Sequence, residues 1–136
     1  MRKANYDKFP STKLTGMLVQ GWDSIISMLK KKMDARKVLA VDLYTGVYEE
    51  EVLDAFSKEF SGRVMNVRDL MKPEKEIQTL TERFMTEDVL FGYVTNLKLE
   101  DYLDADKVAA ARKQISEAKD AIVIIGTGAS VVAPQD

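Results

Sequence analysis

Lys37-Val-Leu-Ala-Val-Asp-Leu-Tyr-Thr-Gly-Val-Tyr-Glu-Glu-Glu-Val-Leu-Asp-Ala-Phe-Ser-Lys-Glu-Phe60 decides how the rest of the sequence is read. Val38 to Ala40 and Val41 form a short apolar run, and the spacing predicts a strand from Val38 to Leu43. Asp42 to Tyr48 punctuate it. From Glu49 to Phe60 the apolar residues Val52, Leu53, Phe56 and Phe60 fall on one face at the helical period. Strand, turn and helix in that order open a parallel α/β unit.

Working outward, Arg63 to Val67 reads as a second strand, set off from the helix by Gly62. Pro73 suits a helix start, and Ile77, Leu80, Phe84 and Met85 space as an amphipathic helix behind it. Phe91, Tyr93, Thr95, Leu97 and Leu99 alternate, which predicts an extended hairpin or lid with one buried face. Asp101 to Lys119 returns to the helical period, with Val108, Ala111, Ile115 and Ala118 on one side. Ala121 to Ile125 is continuously apolar, as expected of a central parallel strand covered on both faces. Upstream, Leu18, Trp22, Ile25, Ile26, Leu29 and Met33 make one stripe, which predicts a helix from Leu14 to Met33 closed by Lys30 to Lys32.

The expected architecture is therefore α/β in three layers, with a mostly parallel sheet and an N-terminal helix. Residues 1–34 are read as an arm plus amphipathic helix and 35–136 as the α/β domain. Tyr6 and Phe9 are the apolar side chains of the arm. A doubly wound sheet normally continues past its most buried strand. The expectation is a fragment of a longer protein, or a sheet whose open edge pairs elsewhere.

Composition excludes several kinds of chemistry. The 136 residues carry 20 basic and 22 acidic side chains for a net charge of −2, with no basic stripe for nucleic acid. Cysteine and histidine are both absent, which removes disulfides, thiolate metal sites, the commonest general base and any His-based triad. No apolar run approaches the ~20 residues of a membrane span, and Met1-Arg2-Lys3 does not open a signal peptide. A cytoplasmic protein without a membrane or nucleic-acid partner is the expectation.

Two turns could hold a ligand. A phosphate-binding loop places glycines, a lysine and a hydroxyl residue after the first strand. Here Asp42, Thr45 and Gly46 lead into Glu49, Glu50 and Glu51. Acids in a first helical turn occupy its positive end. A phosphate charge ~6 Å from one of them is repelled by roughly 3 kcal/mol at an effective dielectric near 20. A metal ion bridging Asp42 and a glutamate would reverse that sign. The second turn is Gly126-Thr127-Gly128-Ala129-Ser130, where glycines after a buried strand permit a close approach, although no third glycine or following helix is visible. The ligand-binding candidates are Asp42, Thr45, Gly46, Gly126, Thr127, Gly128 and Ser130. No catalytic or metal residue is assigned. Thr86-Glu87-Asp88, with Phe91-Gly92-Tyr93, reads as turn chemistry, or else as a polar cluster with Asp104, Lys107 and Arg112.

Tyr6-Asp-Lys-Phe-Pro10, Val41-Asp-Leu-Tyr-Thr-Gly-Val47, Thr86-Glu-Asp-Val-Leu-Phe-Gly-Tyr93 and Leu99-Glu-Asp-Tyr-Leu-Asp104 together resemble a known region. It precedes the catalytic part of long bacterial class I mannose-6-phosphate isomerases and is similar in layout to uridine-kinase-like P-loop domains. The resemblance implies a truncated P-loop NTPase or kinase fold with a degenerate phosphate site. It also implies a downstream cupin domain that holds zinc and does the isomerase chemistry, so no cofactor is expected in this chain. The implied role is a non-catalytic or regulatory module for assembly or ligand sensing, partnered by that domain or by self-association. The alternatives are a phosphotransferase-like enzyme binding a nucleotide or sugar phosphate, and an interaction domain using the first helix.

Overall fold

The computed structural model describes residues 9–13, 15–33, 37–88 and 90–133. Tyr6, Leu14, the 34/35 boundary and Pro134 lie outside the described residues. The protein is a mixed α/β structure around a small open sheet of three parallel strands. These are β1 (Val38–Asp42), β2 (Arg63–Asn66) and β3 (Ile122–Gly126), ordered β1-β3-β2. β3 is the middle strand, pairing Val38 with Ile122 on one side and Arg63 with Ile122 on the other.

The unbroken apolar run of β3 is explained by that position. Val123 and Ile125 point to a core with Ile26, Met33, Val52, Phe56 and Phe60. Ile122 and Ile124 point the other way, toward Val108, Ala111, Ile115 and Val132. The alternation is the two-residue period of a strand, and both faces are covered, so no polar residue is tolerated on either. Each such side chain contributes about 1.5–3 kcal/mol on burial.

Helices α1 (Trp22–Met33) and α2 (Glu49–Glu59) cover the first face. Helices α5 (Ala105–Glu117) and α6 (Ala129–Val132) cover the second. Between β2 and α5 the chain runs through a 3-10 turn at Val67–Leu70, α3 (Glu74–Glu82) and the single-turn α4 (Leu99–Tyr102). The first core joins α1 to α2, through Ile26 and Met33 against Phe56 and its neighbours.

Several sequence expectations need correction. The first helix begins at Trp22, not Leu14, because Gly16 (φ 142°) and Gly21 (φ 82°) hold backbone conformations that break a right-handed helix. Leu18 is consequently 72% exposed and Trp22 41% exposed, so neither joins the core. Helix α3 stops at Glu82 and buries no residue, leaving Phe84 and Met85 beyond it. The alternating segment from Phe91 forms no strand. An alternating pattern needs a neighbour to pair with, and this segment's backbone–backbone bond among the described residues is the Tyr93 N–H donating to Phe84 O at 2.8 Å. The expected helix from Asp101 to Lys119 is divided at Leu103. That residue bridges to Met71, and Asp104 then caps α5 by accepting from the Asp106 and Lys107 N–H groups at 3.0 and 3.1 Å.

Among the described residues, no helix is long and apolar enough to cross a membrane.

Candidate functional site

Because the three strands are parallel, their carboxyl ends share one edge. Asp42 lies in register with Gly126, and Asn66 with Ile125. The two turns singled out in the sequence are thus brought together by the sheet. The helix leaving β1 packs on one face and the helix leaving β3 on the other. The gap between neighbouring strands whose connections diverge in this way is where open α/β sheets take ligands.

Asp42 spans that gap. Its Oδ1 accepts from the Gly128 N–H at 2.8 Å, and its Oδ2 accepts from the Ser130 N–H at 3.1 Å and from the Ser130 hydroxyl. Partial burial pushes the Asp42 carboxyl up. The bonds from the Ser130 hydroxyl and from the Gly128, Ser130 and Ala129 N–H groups outweigh it, and hold the carboxyl below its ordinary value. Backbone N–H groups after a glycine turn are what a phosphate would use. Here a carboxylate of the same chain uses them.

The turn geometry depends on glycine. Gly126 has φ 138°, and a Cβ there would stand 2.8 Å from Val67 Cβ. Gly128 follows at φ 88° and delivers the chain into α6, a helix that the sequence did not reveal. The end of α6 is closed by Arg112, whose Nη2 donates to Val131 O at 2.7 Å and whose Nε donates to Val132 O at 3.4 Å.

Thr127 donates its hydroxyl to Leu43 O at 3.0 Å, and the Leu43 N–H donates to Gly126 O at 3.3 Å, so the two turns are stitched twice more. Thr45 and Gly46 take no part. They sit in the exposed turn closed by the Val47 N–H donating to Tyr44 O at 3.2 Å. Of the seven candidates, the structure gathers Asp42, Gly126, Thr127, Gly128 and Ser130 into one contact and leaves the other two outside it.

Residues 21–136 match a family described as a domain of unknown function, DUF8485. The chain belongs to DUF8485. No curated protein and no solved structure matches it.

Beside the Asp42 contact, this DUF8485 domain has a cavity of about 320 Å³ at the same sheet edge, bounded by Glu49, Val67, Arg68, Leu99, Tyr102 and Thr127 among others. Its outer wall is held in place by backbone bonds. The Lys72 N–H donates to Tyr102 O at 3.0 Å, and the Asp104 N–H donates to Leu70 O at 2.9 Å, fastening α4 to the 3-10 turn. Glu49, Glu50 and Glu51 occupy the first turn of α2 as the sequence indicated, and Glu49 Oε2 pairs with Arg68 Nη2 at 3.2 Å. Arg68 and Tyr102 escaped the sequence reading, since neither belongs to a glycine turn. Arg68 could have been sought as a cation just past a strand end at the carboxyl edge.

The segment with Thr86, Glu87 and Asp88 is turn chemistry. Asp88 Oδ1 accepts from the Leu90 and Phe91 N–H groups at 2.8 and 3.2 Å. Lys107 and Arg112 are engaged elsewhere: Lys107 Nζ donates to Asp69 O and Met71 O, both at 3.2 Å. Among the described residues, no group of three or more carboxylates is placed to hold a metal ion.

Proposed function

We propose that this domain is a non-catalytic α/β module of the nucleotide-binding type, whose phosphate position is occupied by its own Asp42. It would serve assembly or ligand sensing rather than phosphoryl transfer. The observation that carries the reading is the Asp42 carboxylate on the N–H groups of Gly128 and Ser130. An incoming phosphate would have to displace a group already matched to those donors, with Glu49 to Glu51 adding repulsion nearby. The order of strand, acidic turn and helix from Val38 to Glu59 supports a degenerate P-loop-like ancestry.

The resemblance to the region ahead of bacterial mannose-6-phosphate isomerases adds a partner to this reading. In it, zinc and isomerase chemistry belong to a cupin domain, and this chain supplies regulation or contacts in the cytoplasm. The absence of histidine and cysteine is consistent with chemistry carried elsewhere.

A thermal-shift screen with ATP, GTP, UTP and mannose 6-phosphate, with and without magnesium, tests the module reading. No shift with any phosphate is the expected result. A melting point raised several degrees by one nucleotide would favour a phosphotransferase-like protein instead. A second reading, an interaction module, is favoured by the exposed apolar run of Met17, Leu18 and Trp22. Sedimentation that depends on protein concentration would support it as self-association.

A further inference from the structure

The outer margin of β2 borders a cleft, and among the described residues no strand pairs with it. In a parallel ladder a residue sends its N–H and C=O to the same neighbour, and successive residues alternate sides. The Arg63 N–H donates to Ala121 O at 3.0 Å, so Arg63 and Met65 face β3. The N–H and C=O of Val64 and the N–H of Asn66 therefore point outward. An edge of this kind is a template for another strand. Beside it, Ala110, Ala111 and Gln114 of α5 bound about 340 Å³ together with Met65 and Leu70. Alanines at that position leave room for larger side chains laid along the edge.

The same chain carries a counterpart. Residues 91–97 alternate as a strand does, and Phe91, Tyr93 and Val94 are 71%, 70% and 97% exposed. The Thr86 hydroxyl donates to Phe91 O and the Tyr93 N–H donates to Phe84 O. These bonds hold the segment at the end of α3 and not beside its own β2. Charge sets the direction of pairing. The cleft has Arg63 at its amino end and Asp69 at its carboxyl end. The segment is preceded by Glu87 and Asp88 and followed by Lys98. Parallel alignment brings opposite charges together at both ends, and antiparallel alignment brings like charges together. Arg63 pairs with no carboxylate among the described residues, and Lys107, the other cation of the cleft, is turned to Asp69 O and Met71 O.

We propose that the β2 margin is a self-association surface, on which residues 91–97 of a second copy add as a further parallel strand, and that the exchange is reciprocal. A covered aromatic side chain buries roughly 150–250 Å². Two from each copy, with the cleft surface they cover, reach the ~1,200 Å² at which specific interfaces begin. The association is separate from the surface of Met17, Leu18 and Trp22, and it holds whether or not the Asp42 position takes a phosphate.

Sedimentation equilibrium of the full chain tests it. The expected result is a concentration-dependent species of twice the 15.3 kDa chain mass. N–H groups alternate sides along a strand, so of the neighbours Val94 and Thr95 one must face β2. Both residues are exposed, and proline at either removes its N–H without touching the core. At least one of Val94→Pro and Thr95→Pro should weaken the dimer by about tenfold or more, with the circular dichroism of the fold unchanged. Ala110→Trp fills the cleft from an exposed position on α5 and should weaken it likewise. It decides the matter should the proline variants not fold. Leu18→Asp should leave the dimer intact. A monomer at every concentration overturns the proposal, and so does a species larger than two chains. Wild-type dimerisation in both folded proline variants, or in a folded Ala110→Trp variant, also overturns it. Loss of the dimer in Leu18→Asp alone overturns it too, and assigns the association to the first-helix surface instead.

Discussion

Asp42 and Ser130 stand 88 residues apart in the chain and meet carboxylate to amide at 3.1 Å, joining the end of β1 to the start of α6. The contact occupies backbone donors at the strand-end gap where open α/β sheets commonly take a ligand. Asp42→Ala removes the acceptor for two backbone N–H groups and one hydroxyl. The expected loss is about 1–2 kcal/mol, in the range of a lost helix cap, and Asn should retain part of it. Urea denaturation of the wild type and both variants measures this. Equal midpoints for all three would show that the contact contributes nothing to stability.

Acid should weaken the same contact. The Asp42 carboxyl titrates below its ordinary value of 3.8 in the folded protein. Its contribution to stability is therefore fully present above that value and is lost as pH falls through the lower folded one. The stability gap between wild type and Asp42→Asn should narrow between pH 5 and pH 3. A gap that stays constant or widens on acidification contradicts the assignment.

Gly126 should tolerate no side chain. Alanine there meets both an unfavourable φ of 138° and Val67 Cβ at 2.8 Å. The combined cost is expected to be roughly 2–4 kcal/mol. Thermal unfolding of Gly126→Ala would reveal it, and a melting point within a degree of wild type would be incompatible with this turn.

Truncating the middle strand should be far worse than truncating the exposed loop. Ile124 is 0% exposed while Val94 is 97% exposed. Ile124→Ala is expected to cost about 2–5 kcal/mol, and Val94→Ala less than about 0.5 kcal/mol. Chemical denaturation of the two variants in parallel provides the comparison.

Where burial follows directly from residue type, the fold was readable in the sequence. Ile122 to Ile125 read as a strand covered on both faces, and Val52 and Phe56 marked the inner face of α2. The failures occurred where a local pattern lacked the partner it required. Phe91 and Tyr93 alternate like a strand, yet no described strand lies alongside them. Leu18 has the spacing of the first helix, but Gly21 at positive φ ends that helix first. The site was half visible. Glycines marked the turn at 126–128, but nothing in the sequence shows that Asp42 would reach across to it. That contact exists only once β1 and β3 are in register. Arg68 reaches the edge on the 3-10 turn after β2, where Asn66 accepts its N–H, and Tyr102 reaches it through the fastening of α4 to that turn, a contact between segments some thirty residues apart.

The order β1-β3-β2 also constrains how the protein is made. Among the described residues, β1 and β2 each pair with β3 and not with each other. During synthesis neither strand meets its partner in this sheet until residues 122–126 have been made. Long-range parallel pairing of this kind is slow and leaves strand edges open to aggregation. Pairing of either strand therefore waits on a segment 56 or more residues further along the chain.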